Sequence, residues 1–183
     1  MTLAPDALAR LYAAVRTVPD FPTPGVQFRD ITPLLADARA LRLACSAFVE
    51  RHRADGVDRI AAVDARGFIF GAIVAHELHA GFVPVRKAGK LPARRRSESY
   101  ALEYGSGVLE IHEDAITRGQ RVLLVDDLIA TGGTLLAAAR LLQQLGADVV
   151  SCVALIDLPD LGGSRRLRAA GFDVLTLLEF PEH

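Results

Sequence analysis

Short runs of almost continuously apolar residues alternate with stretches of helical period along most of this chain, a pattern that few architectures accommodate. Leu41 to His52 carries apolar residues at 41, 44, 45 and 48, the spacing of one helix face. "RIAAVDARG" predicts a short buried strand ending in a polar turn, Gly67 to Leu78 a second helix, and Phe82 to Val85 a second strand. Val122 to Val125 predicts a third strand, and Thr134 to Leu145 an apolar helix that Gly146 stops. Strands at Val149 to Ile156 and Val174 to Leu178 complete the set. Strands apolar on both faces and separated by helices imply an α/β fold, a central parallel sheet flanked by helices.

At 183 residues the chain is expected to form a single domain, 1–183, large enough to bury a sizeable core. Lys and Arg number 21 against 22 Asp and Glu, a balance that argues against nucleic acid or a membrane surface as the main partner. Cys45 and Cys152 sit in apolar surroundings without CxxC spacing and read as reduced core residues. No secretory leader pattern opens the chain, and the apolar run Phe68 to Ala75 is far short of the roughly 20 residues that span a bilayer. The expectation is a soluble, cytoplasmic protein. His52, His76, His79 and His112 show no metal-binding spacing, and neither HExxH nor GxxxxGK[ST] occurs.

Two segments break the alternation. Val18 to Pro33 contains Pro19, Pro22, Pro24 and Pro33 and cannot be a regular helix. Arg86 to Glu113 is longer than an ordinary connection, begins basic ("RKAGKLPARRR") and then alternates as a β-ribbon ("SYALEYGSGVLEIH"). Long excursions of this kind are candidates for substrate handling.

The most informative stretch is "VLLVDDLIATGGT", Val122 to Thr134. In an open parallel sheet, ligands bind beyond the carboxyl ends of the strands. Asp126 and Asp127 stand at such an end, where carboxylates can accept hydrogen bonds from a diol. Ala130 to Thr134 lead into the next helix, with Gly132 and Gly133 permitting close backbone approach and Thr131 and Thr134 adding hydroxyls. A vicinal diol beside a phosphate describes a ribose 5-phosphate. A surface turn with Thr134 as a helix-capping residue is the plainer alternative.

This stretch resembles the phosphoribosyl-diphosphate motif of the type I phosphoribosyltransferases. "FPTPGVQFRDITPLL", "ARGFIFGAIVAHEL", "FVPVRKAGKLP" and "YALEYGSGVLEIHEDAI" add a resemblance to the adenine phosphoribosyltransferases over about residues 18 to 158. The resemblance implies adenine plus phosphoribosyl diphosphate giving AMP and diphosphate, with Mg²⁺, by a cytoplasmic homodimer. It implies a hood over about residues 1–35 and a lid over about 87–112.

The same resemblance assigns roles. Ala130, Thr131, Gly132, Gly133 and Thr134 would hold the 5-phosphate, while Asp126 and Asp127 face the ribose hydroxyls and the oxocarbenium-like centre. Asp64, Ala65 and Arg66 match a diphosphate loop whose 64–65 peptide is often cis in the family, with Lys87 and Lys90 adding charge. Val26, Gln27, Phe28 and Arg29 match the purine pocket, Phe28 stacking on the ring and main-chain groups reading its amine edge. Glu103 would lie over the bound purine near N7, with Tyr104 bracing the closed lid. No direct protein ligand to the metal is implied, the ion being held mainly by diphosphate and water.

Alternative readings stay open at this stage: a surface ion pair for Asp64 and Arg66, a core role for Phe28, an exposed ribbon position for Glu103. Arg94 to Arg96 read as a solvated basic flank. A non-catalytic sensor of a phosphoribosyl ligand and an enzyme for another purine base are the rival functions. Gly132→Val is expected to obstruct the phosphate while leaving the core intact.

Overall fold

The computed structural model describes residues 3–101 and 106–181. Helix α1 (Pro5–Ala13) is followed by a separate antiparallel ribbon, β1 (Arg16–Pro19) with β2 (Gln27–Asp30), and the short helix α2 (Thr32–Ala36). Then come α3 (Ala38–His52), β3 (Arg59–Val63), α4 (Gly67–Glu77), β4 (Gly81–Lys87), β5 (Arg95–Ala101), β6 (Ser106–His112) and β7 (Arg121–Ile129). The chain ends with α5 (Gly133–Gln144), β8 (Asp148–Asp157), a 3-10 turn (Pro159–Leu161), α6 (Gly163–Ala169) and β9 (Val174–Glu179). Asp37 caps α3 by accepting from the Arg39 and Ala40 amides.

The main sheet is seven-stranded in the order β5-β6-β4-β3-β7-β8-β9. The five strands β4, β3, β7, β8 and β9 run parallel, as the apolar runs predict. The two remaining strands are antiparallel: β6 pairs with β4 at Arg86–Glu110 and Lys87–Leu109, and β5 pairs with β6. Alternate residues of each central strand serve opposite cores. Ile60, Ala62, Leu123 and Val125 pack beneath α1, α3 and α4, where Phe48 and Phe70 are fully buried. Ala61, Val63, Val122 and Leu124 face α5 and α6 through Leu135, Ala138, Leu142 and Leu167. Burying both faces fixes register, because a one-residue slip would exchange the two cores.

The ribbon read as a lid over 87–112 is, at its base, part of this sheet: Leu109 and Ile111 are fully buried. Arg94 to Arg96 are not simply a solvated flank either. Arg95 and Arg96 belong to β5, and Arg95 Nε lies 2.9 Å from Oε1 of the buried Glu110. Asp126 and Asp127 lie near the carboxyl end of their strand as expected, but the strand is longer than the apolar run predicts. The strand does not stop at Val125 but runs through both aspartates to Ile129, with Asp126 opposite Ala154.

Candidate active site

A cleft of about 500 Å³ opens at the carboxyl ends of β3, β4 and β7. Its walls bring together Asp64, Ala65, Arg66, Lys87, Asp126, Asp127, Ala130, Thr131, Gly132 and Thr134, ten of the positions singled out in the sequence. Two helices begin at this cleft. α4 starts directly after Arg66, and α5 directly after Gly132. The positive ends of two helix dipoles therefore flank one acidic pair, a field suited to two anionic groups joined by a neutral, hydroxyl-bearing centre.

The acidic pair is buried, Asp126 at 9% and Asp127 at 6% exposure. The Asp127 amide donates to Asp126 Oδ1 at 2.9 Å. Burial, then repulsion from Asp127, pushes the Asp126 carboxyl well above the usual carboxylate range. Burial also raises Asp127, against the opposing pull of Arg66. Arg66 Nε stands 2.7 Å from Asp127 Oδ2, a charge contact without hydrogen-bond alignment, so that oxygen keeps an unfilled acceptor position. Such a pair resists full ionisation and can offer both a proton and lone pairs to a diol.

On the opposite wall the Asp64–Ala65 peptide is cis, as the resemblance implies. Asp64 gathers the nearby cations: Lys90 Nζ lies 3.2 Å and Arg86 Nε 3.5 Å from its Oδ2, while its Oδ1 is buried without a partner. Lys90 thus reaches the site through Asp64 and does not line the cleft itself. Anionic ligand groups could take over these cations.

Gly132 adopts φ +77°, and its close neighbour is Gly163. A Cβ on Gly132 would lie 2.7 Å from the Gly163 carbonyl oxygen and 2.9 Å from its Cα. The expectation that Gly132→Val spares the core is therefore corrected: the glycine is required by backbone-to-backbone packing with the start of α6 as well as by any phosphate. Gly133 lies in an adjoining cavity of about 170 Å³ shared with Tyr100.

Val26, Gln27, Phe28 and Arg29 lie in and beside the β1–β2 ribbon and do not line the cleft. Phe28 meets it through Arg66, whose guanidinium carbon lies 5.7 Å from the ring centroid, and stacks edge-on with Phe21 at 5.1 Å. The Arg29 side chain turns away toward the Phe180 ring, 4.7 Å off. Glu103 and Tyr104 lie outside the described residues.

Residues missed in the sequence also line the cleft: Val63, Tyr100, Leu128, Ile129 and Leu135. Leu128 and Ile129 could have been found by continuing the strand past the aspartates. Tyr100 had one signal, the glycine opposite it: Gly107 pairs with Tyr100, and a Cβ there would lie 2.6 Å from the ring. A larger groove of about 610 Å³ lies between α3 and the C-terminal half of α4, away from both helix N-termini and from the paired acids. Its position offers no comparable chemistry.

Paired carboxylates between two helix N-termini on a parallel sheet have the chemistry to suit a sugar bearing phosphoryl groups at both ends. Residues 33–170 match the phosphoribosyl transferase domain. A curated adenine phosphoribosyltransferase of Burkholderia cenocepacia is 59% identical, the match covering 97% of this chain and 95% of that protein. The crystal structure of adenine phosphoribosyltransferase from Rhodothermus marinus superposes with a TM-score of 0.91 at 50% identity, over 97% of this chain and 100% of the other. The Saccharomyces cerevisiae adenine phosphoribosyltransferase, solved with an imino-altritol bisphosphate and adenine, gives a TM-score of 0.89 at 37% identity, covering 96% and 100%. The chain belongs to the adenine phosphoribosyltransferase family.

Proposed function

We infer that this chain transfers the 5-phosphoribosyl group of phosphoribosyl diphosphate to adenine, giving AMP and diphosphate, a purine-salvage reaction. The observation that carries this reading is the buried Asp126–Asp127 pair set between the N-termini of α4 and α5. Adenine N9 forms the bond to ribose C1 as the C1–O bond to diphosphate breaks, and the N9 proton departs. Amides of Ala130 to Thr134 and the two threonine hydroxyls hold the 5-phosphate. Asp126 and Asp127 bind the ribose hydroxyls and place negative charge beside the oxocarbenium-like centre. Arg66 and Lys87, with Lys90 released from Asp64, take up charge developing on the leaving diphosphate. Phe28, with Val26 beside it, stacks on the base, and main-chain groups of Gln27 and Arg29 read its amine edge.

We assign Glu103 to the purine N7, where a carboxylic acid balances charge shifting across the imidazole ring as N9 reacts, with Tyr104 bracing the closed ribbon. Glu103→Leu is expected to lower kcat by roughly 10²-fold or more while leaving phosphoribosyl diphosphate affinity unchanged. A variant with wild-type kcat would return Glu103 to the surface.

Mg²⁺ fits the site as a substrate-borne ion. With Asp126 and Asp127 of the cleft assigned to the ribose hydroxyls, the ion is left to the diphosphate and water. Bound to the diphosphate, the ion would neutralise leaving-group charge. Among the described residues no helix is long and apolar enough to cross a membrane, which is compatible with the proposed cytoplasmic location. A homodimer is supported by α4, which is apolar around its circumference yet leaves Ile69 39% exposed, and by Phe82, 38% exposed and stacked edge-on against Phe68 of the same helix.

The test is a panel of radiolabelled bases with phosphoribosyl diphosphate and Mg²⁺, scoring nucleotide formed. AMP from adenine with little product from hypoxanthine or guanine is the expected result. Binding of phosphoribosyl diphosphate without nucleotide from any base would favour a sensor instead.

A further inference from the structure

Glu110 is a buried carboxylate, 5% exposed, that the reaction leaves unused. It belongs to β6 and stands opposite Arg86 of β4 in the sheet register. Its two oxygens face different elements. Oε2 accepts the Gly89 amide at 2.9 Å, in the turn that follows β4. Oε1 lies 2.9 Å from Arg95 Nε and 3.5 Å from the Ser97 hydroxyl, both on β5. Burial alone would raise its carboxyl, but the Gly89 amide, then Arg95 and Ser97, hold it below the ordinary range, so it is ionised at neutral pH.

The turn that Glu110 holds carries the cations of the Asp64 wall. Lys87, the last residue of β4, lines the cleft, and Lys90 Nζ reaches Asp64 Oδ2 at 3.2 Å. Residues 86–90 are gripped from two sides. On the cleft side, Asp64 Oδ2 also accepts the Lys87 amide at 3.4 Å and has Arg86 Nε 3.5 Å away. On the ribbon side, the Gly89 amide is held by Glu110 and the Ala88 amide by the Val108 carbonyl at 3.0 Å. Arg86 also donates to the Lys90 carbonyl at 3.1 Å, closing the turn on itself. An anionic ligand that draws Lys90 and Arg86 off Asp64 undoes the first grip. The second remains.

We propose that Glu110 is a positioning residue for the diphosphate group, holding the Lys87–Lys90 turn against the cleft through the Gly89 amide while Asp64 gives up its cations. This rests on the transferase reading above, in which Lys87 and Lys90 take up the leaving-group charge. Glu110 does not line the cleft, so it acts through the turn and not on substrate. A charged acceptor holds an amide more firmly than a neutral one. A lysine whose backbone is already fixed gives up less freedom on meeting its ligand. Because Arg95 and Ser97 fix the carboxylate from its other side, the turn is also tied to β5.

The experiment compares three ligands in wild type, Glu110→Ala and Glu110→Gln. Phosphoribosyl diphosphate and Mg²⁺-diphosphate meet the turn, whereas ribose 5-phosphate fills the cradle and the acidic pair without reaching it. Affinities come from calorimetric titration, and KM and kcat from AMP formation. Wild-type production of AMP tests the underlying reading separately. In Glu110→Ala the first two ligands are expected to bind about 10-fold more weakly or worse, the range of a hydrogen bond to a charged group. Ribose 5-phosphate affinity and the KM for adenine should hold. Glu110→Gln, which keeps an oxygen for the Gly89 amide, should recover most of the loss. If Glu110→Ala does not fold, wild type alone decides: amide exchange read by NMR should show Gly89 equally protected with and without Mg²⁺-diphosphate. Equal losses for all three ligands together with a lower melting temperature would make Glu110 structural. Unchanged diphosphate binding in Glu110→Ala, or a Gly89 amide that loses protection when Mg²⁺-diphosphate binds, would refute the positioning role; any of these results overturns the proposal.

Discussion

Replacing Gly132 by alanine adds one methyl group at the turn between β7 and α5, and the structure sets its cost through two separate effects. The first is backbone conformation. At φ +77° a residue with a Cβ loses about 1–2 kcal/mol relative to glycine. The second is collision. The added carbon would lie 2.7 Å from the Gly163 carbonyl oxygen and 2.9 Å from Gly163 Cα, both backbone atoms that cannot rotate away. Forced overpacking of this sort costs about 1–3 kcal/mol. Gly171 supplies an internal control. It has φ +92°, and a Cβ added there would meet nothing within 4 Å, so Gly171→Ala carries the first cost alone. For a chain of this size each kcal/mol lowers Tm by about 2–4 °C. Gly132→Ala should therefore melt about 2–12 °C below Gly171→Ala, measured by differential scanning calorimetry at one pH. Calorimetric titration with phosphoribosyl diphosphate should show weakened binding in Gly132→Ala alone, since relieving the collision moves the amides of residues 130–134. Equal melting temperatures for the two variants would refute the argument that Gly163 restricts this turn.

Asp126→Asn should raise Tm by a few degrees at pH 7 while abolishing most activity, because it removes a buried charge whose carboxyl is pushed above its ordinary range. The sign follows from linkage: a folded-state pKa above the unfolded one means stability is lost as pH rises through it, so the gain should shrink in acid, and a gain independent of pH would contradict the assignment. Asp30 works in the opposite sense, its carboxyl lowered to about 2 by the Thr32 amide and then by Arg16 and the Thr32 hydroxyl. Its contribution is present above the unfolded value of 3.8 and is lost as pH falls toward 2, so Asp30→Asn should flatten acid unfolding curves between those values. Arg66→Ala should weaken diphosphate-bearing ligands strongly and, by removing the charge beside Asp127, drive that carboxyl still higher, which a carboxyl infrared titration would detect.

How much of this is readable in the sequence depends on how far apart the cooperating residues lie. A strand, two carboxylates, a glycine turn and a helix start occupy consecutive positions from Val122 to Thr134, so their chemistry is written in local order and survives without knowledge of the fold. The same holds for Asp64 to Gly67 and for the parallel strands, whose unbroken apolar character reports burial on both faces. The strand through Asp126 and Asp127 reads as too short because charged residues imitate a strand end; cover from α4 and from β8 is what allows the ladder to continue past them. Tyr100 reaches the cleft only because the β5–β6 ribbon joins the edge of β4, a pairing that no local period announces. Gly132 needs to be glycine because α6 begins against it. Local backbone preference and hydrophobic period act over a few residues, whereas close approach and an unfilled acceptor are properties of elements brought together from distant parts of the chain, and these appear only once the packing is known.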